Sequence, residues 1–241
     1  MNKISIIIPI LNEVDYISKL LEQLIINSSP VNIAEIIVVD GGSTDGSLNS
    51  VRALRFLKPE GSVKIFSSEK GRAKQMNLGA SKASGNILYF LHADSLPPQN
   101  FDQLIINEIN KGNLAGCFRM QFDSNHWWLR LASWLTQFSW RACRGGDQSQ
   151  FITKGLFENI GGYDENYIIY EDNILINELY KRKQFVVINK KIRTSARLYK
   201  KVGIWKLQYH FWSIYVKKWL GASAEELHNY YKNYISSKNI V

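Results

Sequence analysis

The sequence predicts an α/β fold in which a mostly parallel sheet is flanked by helices. Short runs of β-branched and other apolar residues, beginning with Ile4–Ile8, are typical of strands that are buried on both faces. They alternate with segments whose apolar residues recur at helical spacing, as at Ile17, Leu20 and Leu21. Because the connections are short, this alternation predicts parallel strands joined by right-handed crossover helices.

The first half of the chain, residues 1–110, carries the clearest alternation. Each predicted strand is a short, mainly apolar run, and the predicted helices lie between these runs. The predicted strands are Ile4–Ile8, Glu35–Val39, Val63–Phe66 and Ile87–Leu91, and the predicted helices lie around residues 17–25, from Ser47 onward and over 71–84.

The second half, residues 111–200, shows a less regular pattern, and residues 201–241 are predicted to form a helical extension. A loop at Gly145–Gln148 precedes the apolar pair Phe151-Ile152. The remaining predicted elements are a strand over Ala115–Phe122, an aromatic-rich helix over Trp127–Trp140, a helix that begins at Glu171-Asp172, a strand over Phe185–Ile188, and helix after Val202.

Length and composition narrow the classes of protein. With 241 residues, of which 45% are hydrophobic, the chain can bury one large domain or one domain with an appendage. A net charge of +9 favours nucleotides, polyanions or an anionic membrane surface as partners. Cys117 and Cys143 are too few for a disulfide framework, so we expect a reduced, cytoplasmic setting. We find neither a signal peptide nor an apolar run long enough to span a bilayer.

The tripeptide His92-Ala93-Asp94 directly follows the fourth predicted strand. Ligands of open α/β sheets bind at the carboxyl ends of the strands, so a carboxylate here is well placed for a site. A hard oxygen donor suits Mg²⁺ or Mn²⁺ bound to a diphosphate. The alternative is that Asp94 only forms a turn or caps a helix.

Two loops at the same predicted edge favour a nucleotide site. The loop Asp40–Gly46 has three glycines and two carboxylates between strand and helix, a pattern that suits hydrogen bonds to a base or ribose. It matches neither a Walker loop nor a dinucleotide fingerprint. Pro9–Glu13 follows the first strand. The alternative for both loops is a tight turn with a helix N-cap.

Charged residues in two further segments have a functional and a structural interpretation. Lys70, Arg72 and Lys74 follow the third strand, where cations suit a diphosphate or a solvated basic face. Glu171 and Asp172 precede a predicted helix, where the helix dipole favours carboxylates. One of the two acids is a candidate general base, and its neighbour on the helix points about 100° away from it.

Together these segments resemble family 2 nucleotide-sugar glycosyltransferases, which have the GT-A fold. The matching segments are Ile6–Glu13, Val38–Gly46 and Gly71–Gly79, and the resemblance extends over roughly residues 3–190. Further features are similar to a compact bacterial subgroup of that family. These are Gly146-Asp147-Gln148, Gly161-Gly162-Tyr163, Glu171-Asp172 and Thr194-Ser195-Ala196-Arg197.

The resemblance implies that residues 1–110 bind the nucleotide sugar. Asp40 would contact the base, typically uracil, in a pocket that Pro9, Leu11 and Glu13 line and that Gly42 borders. Either of the cations Arg72 and Lys74 would assist the base and the phosphates.

The same resemblance implies roles for the three residues His92, Ala93 and Asp94. Asp94 would bind Mg²⁺ or Mn²⁺, and His92 and Ala93 would lie against the ribose and the donor sugar. His92 stands where the family usually carries aspartate, which leaves the identity of the donor open.

Three acids are the catalytic candidates that the resemblance implies in the acceptor-binding half, residues 111–200. Asp172 would be the general base, with Glu171 beside it, and Asp147 would lie near the acceptor and the donor sugar. The implied reaction is an inverting single displacement that moves a sugar from a nucleoside-diphosphate sugar, typically UDP-linked, to an acceptor hydroxyl. The Gln-x-x-Arg-Trp motif of processive synthases is absent from the sequence, which favours a single transfer.

Two questions on partners stay open from the sequence. The aromatic and cationic segment 204–220 suits the headgroup region of a membrane, at its inner face and beside a lipid-linked acceptor. The alternative is that these aromatic residues pack over the acceptor-binding half or against another subunit. A basic nucleotide- or nucleic-acid-binding protein without transferase activity is the alternative function. We do not expect nucleic-acid binding, because the cations are scattered and no known nucleic-acid module is recognisable.

Overall fold

The computed structural model describes residues 2–56, 62–145 and 148–236. Its first half confirms the predicted alternation of strands and helices, and it adds the short strand β5 and the helix α4, which the sequence did not predict. The strands are β1 (Ile4–Ile10), β2 (Ile33–Asp40), β3 (Val63–Ser67), β4 (Ile87–Phe90) and β5 (Ser95–Leu96), and the helices are α1 (Val14–Ile26), α2 (Ser47–Phe56), α3 (Arg72–Lys82) and α4 (Phe101–Asn110).

The rest of the described chain, from residue 111 onward, contains three further strands and the helices that follow α4. The strands are β6 (Ala115–Phe122), β7 (Gln150–Thr153) and β8 (Val186–Thr194). The helices are α5 (Trp127–Leu135), α6 (Lys154–Ile160), α7 (Glu171–Lys181), α8 (Arg197–Val202), α9 (Ile204–Trp219) and α10 (Ala224–Tyr234), and Arg141–Cys143 forms a 3₁₀ turn. The helical structure predicted after Val202 is confirmed over α9 and α10, whereas β7, α6 and α8 were not predicted.

Within the described residues the strands form one eight-stranded sheet in the order β3-β2-β1-β4-β7-β6-β8-β5. The pairs β1–β2, β1–β4, β2–β3 and β6–β8 are parallel. The pairs β4–β7, β6–β7 and β5–β8 are antiparallel. The sheet is therefore mostly parallel, as predicted. At its centre, β7 runs antiparallel to both of its neighbours, β4 and β6, and joins the two halves.

The apolar runs of the central strands are continuous because helices cover both faces of the sheet. In β1, Ile6 and Ile8 belong to the core beneath α1 and α4, whereas Ile7 belongs to the core on the opposite face. Helix α3 lies very close to that second face, since a Cβ atom on Gly79 would lie 2.4 Å from the Ile7 side chain. A glycine is therefore needed where this helix crosses the sheet.

Two predicted elements have wrong boundaries. The helix predicted over Trp127–Trp140 ends at Leu135, because carbonyl groups after Leu135 accept hydrogen bonds from a side chain outside the helix. The buried guanidinium of Arg144 takes the Thr136 and Phe138 carbonyls as acceptors, both at 2.6 Å. The strand predicted over Phe185–Ile188 continues to Thr194, because its polar second half pairs with β6 although its side chains are largely exposed.

A buried carboxylate ties three segments together near the amino ends of the strands. Glu35 is 2% exposed and accepts hydrogen bonds from Ser5, from both the backbone and side chain of Ser84, and from Lys64 at 2.9 Å. Burial alone would raise the pKa of Glu35, but these hydrogen bonds outweigh it and lower the pKa to about 2.

We expect Glu35→Gln to destabilise the protein in a pH-dependent way. A pKa that falls from 4.5 to about 2 on folding corresponds to roughly 3 kcal/mol of stability. That stability is fully present above the unfolded pKa and is lost as the pH falls toward the folded pKa. Chemical denaturation at pH 7 should therefore show a loss of about 2–3 kcal/mol, which shrinks as the pH falls below 4.5.

The exposed Glu22, on α1, provides a matched control. Glu22→Gln should change the free energy of unfolding by less than about 0.5 kcal/mol at any pH. A pH-independent loss in Glu35→Gln would show that the charge on Glu35 does not stabilise the fold.

Candidate active site

The carboxyl ends of three parallel strands meet at one edge of the sheet. Ile10 at the end of β1 lies opposite Asp40 at the end of β2, and Ile7 of β1 lies opposite Phe90 at the end of β4. The loops that follow these strands therefore share one edge, which is where open α/β sheets bind their ligands.

The loops after β1 and β2 are bonded to each other. The Asn12 amide N–H donates to Ser43 Oγ at 3.0 Å, and the Thr44 N–H donates back to Asn12 Oδ1 at 2.9 Å. Asp45 holds the turn as well, since it accepts from the backbone N–H groups of Val14 and Ser47. The tight turn expected for this loop is therefore present, and these contacts fix the shape of the edge where the loops meet.

Asp40 is almost fully buried at this edge. Its carboxylate accepts backbone hydrogen bonds at 3.1 Å from Gly42 and Ser43. Gln75 of α3 lies beneath it and donates to the Ile10 and Val39 carbonyls, both at 2.8 Å. One buried amide thus joins the ends of β1 and β2 and fixes the point from which Asp40 projects.

The other residues predicted for the nucleoside pocket lie on the same two loops. Pro9 pairs with Val39 across the β1–β2 ladder and is half-buried, as is Leu11. Gly42 is exposed and has a backbone φ of +96°, a conformation that L side chains rarely adopt. Asp40, Pro9, Leu11 and Gly42 are therefore brought together.

His92-Ala93-Asp94 forms a tight turn after β4. The Ser95 N–H donates to the His92 carbonyl at 3.1 Å, and Ala93 is buried in the core. The Asp94 side chain is 17% exposed, and its Oδ2 lies 3.3 Å from Nε of Arg197. The sequence analysis gave Arg197 no role beyond its place in a motif.

Arg197 joins Asp94 to the loop after β1. Its Nη1 and Nη2 donate to the two carboxylate oxygens of Glu13 at 2.8 and 2.6 Å, and its guanidinium lies 4.5 Å from the centre of the Tyr16 ring. Burial disfavours the charge on Arg197, but the hydrogen bonds to Glu13 and the charge of Asp94 outweigh it and raise the pKa of the guanidinium. Glu13 and Asp94 are thus brought together through a cation.

Arg72 is paired with the two candidate catalytic acids. Its Nε donates to Glu171, and its Nη2 lies 3.6 Å from Asp172 Oδ2. The Glu171 side chain is fully buried and that of Asp172 is 10% exposed. Burial raises the pKa of Glu171, and the charge of Arg72 opposes that rise. The first turns of α3 and α7 therefore meet at this edge through an ion pair.

Lys74 faces a different partner. Its Nζ lies 2.5 Å from Glu69 Oε2, and this contact raises the pKa of Lys74 and lowers that of Glu69. Both side chains are exposed to water, so the pair contributes little to stability. In this structure Lys74 and Arg72 therefore each contact a carboxylate.

Asn77 fixes the loop that leads to Glu171. Its side-chain amide accepts from the Tyr163 N–H at 3.0 Å and donates to the Tyr163 carbonyl at 2.9 Å. The Tyr163 ring packs against Phe90 and Phe157. Burial raises the pKa of Tyr163 well above its usual value, with the charges of Asp172 and Glu171 adding to the effect. The structure thus gives the Gly161–Tyr163 motif a definite place beneath the acids.

The loop after the 3₁₀ turn is fixed from inside. Arg144 Nη1 donates to Gln148 Oε1 at 2.6 Å, and Gln148 Nε2 donates to the Cys143 carbonyl at 2.6 Å. Cys117 also contacts Arg144, and burial raises the pKa of its thiol to about 11 despite that charge. Asp147, the third predicted catalytic acid, lies outside the described residues.

Helix α9 of the C-terminal extension reaches the start of α7. The Tyr215 hydroxyl donates to Asn173 Oδ1 at 3.3 Å, and its ring packs against Tyr170 at 5.3 Å. Arg141 also donates to the Asn173 side chain, at 2.9 Å. Because Asn173 follows Asp172 directly, the extension forms one wall beside the candidate base.

The residues at Asp94 fit a divalent cation that takes most of its ligands from elsewhere. In the described part of the chain, no cluster of three or more histidines, cysteines or acids forms a complete metal cage. Magnesium is commonly bound through one or two carboxylates, with substrate phosphates and water completing its shell. A partly exposed aspartate at the strand edge meets that requirement, although Arg197 lies against it.

The site contains several residues whose roles only the structure reveals. Gln75 and Asn77 belong to a segment that the sequence analysis singled out, but their partners lie on distant strands and loops. The side chains of Arg197 and Tyr215 line the same edge from the second half of the chain. The arrangement offers a corner between two loops at Asp40, a carboxylate at Asp94 and an acid pair at Glu171-Asp172.

A family model describes the first two thirds of the chain. The model for glycosyl transferase family 2 matches residues 5–165. This range contains the loops after β1, β2 and β4 and ends shortly before Glu171.

Curated relatives match part of the chain. A protein of Methanococcus voltae named dolichyl N-acetyl-alpha-D-glucosaminyl phosphate 3-beta-D-2,3-diacetamido-2,3-dideoxy-beta-D-glucuronosyltransferase is 36% identical over 102 residues, which are 42% of this chain and 32% of the relative. The undecaprenyl-phosphate 4-deoxy-4-formamido-L-arabinose transferase of Proteus mirabilis is 23% identical over 78% of this chain and 55% of its own. The chain spans about a third of the length of the first curated relatives it matches.

Solved structures share the fold at low sequence identity. S. aureus TarS, residues 1–349 in complex with UDP, superposes with a TM-score of 0.67 at 18% identity, over 80% of this chain and 60% of that one. The mannosyltransferase PcManGT from Pyrobaculum calidifontis, in complex with GDP-Man and Mn²⁺, gives 0.68 at 18% identity over 95% and 69%. These likenesses establish the fold.

We expect Arg72 and Glu171 to be strongly coupled in stability. Arg72→Met leaves the buried Glu171 carboxylate without its cation, so the free energy of unfolding at pH 7 should fall by about 2–3 kcal/mol. Adding Glu171→Gln should recover most of that loss, and the effect of Arg72→Met should shrink at pH values where Glu171 is protonated. Denaturant titrations of the four proteins in this double-mutant cycle measure the coupling.

The solvent-exposed pair Arg182 and Glu178 on α7 is the matched control. Its cycle should give a coupling of about 0.5 kcal/mol or less. Equal couplings for the two pairs would show that burial of Glu171 does not strengthen its interaction with Arg72.

Proposed function

The chain belongs to glycosyl transferase family 2 and has the GT-A fold, and we propose that it transfers a sugar from a nucleoside-diphosphate sugar to an acceptor hydroxyl. The observation that supports this most is the convergence of Asp40, Asp94 and Asp172 on one sheet edge. Gln75 bonds the strand ends beside Asp40, while Arg197 pairs with Asp94 and Arg72 with Asp172.

The proposed donor site lies between the loops after β1 and β2. Asp40 would accept a hydrogen bond from a base N–H, which suits a uridine nucleotide, while Pro9 and Leu11 face the base and Gly42 leaves room for the backbone to approach it. The backbone hydrogen bonds to Asp40 support this assignment, because they hold the carboxylate in place before the ligand arrives. The structures of TarS and PcManGT are complexes with UDP and with GDP-Man, respectively.

The diphosphate would lie at the end of β4, where His92 and Ala93 border the ribose and donor sugar and Arg72 and Lys74 supply charge. Asp94 would hold Mg²⁺ or Mn²⁺. When bound, such an ion neutralises charge that develops on the leaving diphosphate.

Asp172 is the proposed general base in an inverting single displacement. It would take the proton of the acceptor hydroxyl as that oxygen attacks the anomeric carbon, while the bond from that carbon to the diphosphate breaks. Exposure favours Asp172 over Glu171, whose side chain is fully buried beneath Arg72 and cannot meet an acceptor in this structure. Glu171 then serves to hold Arg72, and we keep Asp147 as a proposed neighbour of the acceptor.

The division of the chain into residues 1–110 for the donor, 111–200 for the acceptor and 201–241 as an extension is part of the proposal. So is its place in a compact bacterial subgroup, which rests on the motifs Gly146-Asp147-Gln148 and Thr194-Ser195-Ala196-Arg197.

We propose an acceptor linked to a lipid, because the extension carries an apolar stripe that faces water. The α9 outer stripe consists of Trp205, Tyr209, Trp212, Val216 and Trp219, each more than half exposed. Their spacing places them within an arc of about 80° on the helix. The opposite side of α9 is buried through Leu207 and Ile214, so this helix is apolar on two faces.

Charge around the α9 outer stripe favours an anionic membrane surface as its partner. Residues 179–224 contain twelve lysines and arginines and no aspartate or glutamate. Exposed Lys206 and Lys217 lie on α9 itself. Tryptophan and tyrosine rings flanked by cations are typical of helices that lie in the headgroup region, and the cytoplasmic leaflet is the anionic one. In the described ranges, no helix has the length and hydropathy needed to cross a bilayer.

The chemistry is tested by Asp172→Asn. A thermal-shift panel of UDP-, GDP- and TDP-sugars with Mn²⁺ or Mg²⁺ first identifies the donor, and release of nucleoside diphosphate then identifies an acceptor. Asp172→Asn should keep the donor-induced shift and lower turnover by roughly 10²–10⁴-fold, because it removes the base without altering the nucleotide corner.

Glu178→Gln, a carboxylate-to-amide change further along α7, is the matched control and should leave turnover within a factor of two or so of the unmodified protein. Near-normal turnover in Asp172→Asn would remove Asp172 from the base role. A panel in which no nucleotide sugar shifts the melting temperature would contradict the proposed function as a whole.

The membrane contact is tested by replacing Trp205, Trp212 and Trp219 together with serine. Co-sedimentation with vesicles of phosphatidylcholine and phosphatidylglycerol should fall roughly tenfold or more, since the aromatic rings supply most of the buried area. Binding of the unmodified protein should weaken with salt and be weaker still on phosphatidylcholine alone.

Ile26→Ser is the control, because Ile26 is exposed at the end of α1, away from the stripe. It should bind vesicles like the unmodified protein. Indifference to anionic lipid would contradict the membrane contact, and so would a dimer in solution that the triple variant dissociates.

A further inference from the structure

We propose that Arg197 is an internal counter-ion of Asp94, which blocks a divalent cation from binding there until a nucleoside diphosphate is present. This inference rests on the proposed function only in taking Asp94 as the carboxylate that faces the metal. It makes Arg197 a residue that positions the site and couples the binding of metal and donor.

The contacts of Arg197 show that it competes for Asp94 directly. Its Nε lies 3.3 Å from Asp94 Oδ2, so the guanidinium already pairs with the carboxylate that would hold a metal. Its two terminal nitrogens form a bidentate pair with Glu13. A guanidinium held at three points in this way has a fixed orientation, unlike a lysine ammonium on a flexible stem.

The position of Arg197 is set by the backbone around it. The Ser195 N–H donates to the Asp94 carbonyl at 3.2 Å, so the two segments are joined directly. The Ala196 N–H donates to Asp123 Oδ1 at 2.7 Å, which places the first turn of α8 against the end of β6. The side-chain hydroxyls of Ser95 and Thr194 also lie 3.0 Å apart between the two segments. Arg197 therefore begins α8 at a fixed distance from the Asp94 turn.

Charge balance makes metal binding conditional on the donor. The Arg197 guanidinium pairs with the carboxylates of Glu13 and Asp94, so the net charge of the three groups is about −1. Without Arg197 it would be about −2, which would attract a divalent ion more strongly. An ion on Asp94 would also be repelled by the neighbouring guanidinium. A diphosphate reverses this situation, because its oxygens accept hydrogen bonds from arginine and attract the metal at the same time. Such coupling is reciprocal, so the metal strengthens nucleotide binding by the same factor.

Manganese binding to the nucleotide-free protein tests the inference without any transfer reaction. We would titrate Mn²⁺ and follow the electron paramagnetic resonance signal of the free ion. Arg197→Gln should bind Mn²⁺ roughly tenfold more tightly or better than the unmodified protein. Arg197→Lys, which keeps the charge, should gain much less, and Asp94→Ala in the Arg197→Gln background should abolish the gain.

Arg193→Gln is the matched control, because Arg193 is an exposed cation near the end of β8, and it should leave Mn²⁺ affinity unchanged. Arg197→Met, which keeps an unbranched side chain but removes the charge, replaces Arg197→Gln if the latter fails to fold. Equal affinities in the Arg197 variants and the unmodified protein, including no binding by either, would overturn the inference.

A second titration with UDP or GDP present separates this inference from the proposed function. An increase in Mn²⁺ affinity on adding nucleotide to the unmodified protein supports both. If Arg197→Gln gains affinity but neither nucleotide changes Mn²⁺ binding, the role of Arg197 as a counter-ion of Asp94 stands, while its release by the donor and the proposed donor site are both overturned.

Discussion

Neutralisation of carboxylates at the carboxyl edge of the sheet is the constraint on which the site depends. Parallel strands bring their polar ends to one line, and here that line collects Glu13, Asp40, Asp94, Glu171 and Asp172. Acids this close together and this poorly hydrated repel each other unless each has a partner. The structure supplies backbone N–H groups to Asp40. It supplies Arg197 to the pair Glu13 and Asp94, and Arg72 to the pair Glu171 and Asp172.

The two arginines also join the halves of the chain. Arg197 lies in the second half and contacts Glu13 and Asp94 of the first, whereas Arg72 lies in the first half and contacts Glu171 and Asp172 of the second. A cleft assembled in this way keeps the nucleotide corner and the acid pair in register. It also suits the proposed transfer, in which the donor and the acceptor would meet between the halves for one displacement.

Much of the sheet could be predicted because burial on two faces leaves a local pattern of apolar runs. The carboxylate that each arginine contacts could not be predicted, since Arg197 is 184 residues from Glu13 and Arg72 is 99 residues from Glu171. The end of α5 also escaped prediction, because a buried guanidinium from Arg144 takes its carbonyls. The polar half of β8 is held by backbone pairing with β6, a contact that side-chain periodicity does not reveal. The resemblance to a known family singled out the acids, and the structure identified the cations that hold them.

A crystal structure of the protein grown with the nucleoside diphosphate of its donor and Mn²⁺ is the most direct test of the cleft as a donor site. We expect density for the base between the loops at residues 9–13 and 40–46, within hydrogen-bond distance of Asp40, and density for the diphosphate facing Asp94. Nucleotide bound at another surface, or a base turned away from Asp40, would contradict the assignment of this edge as the donor site.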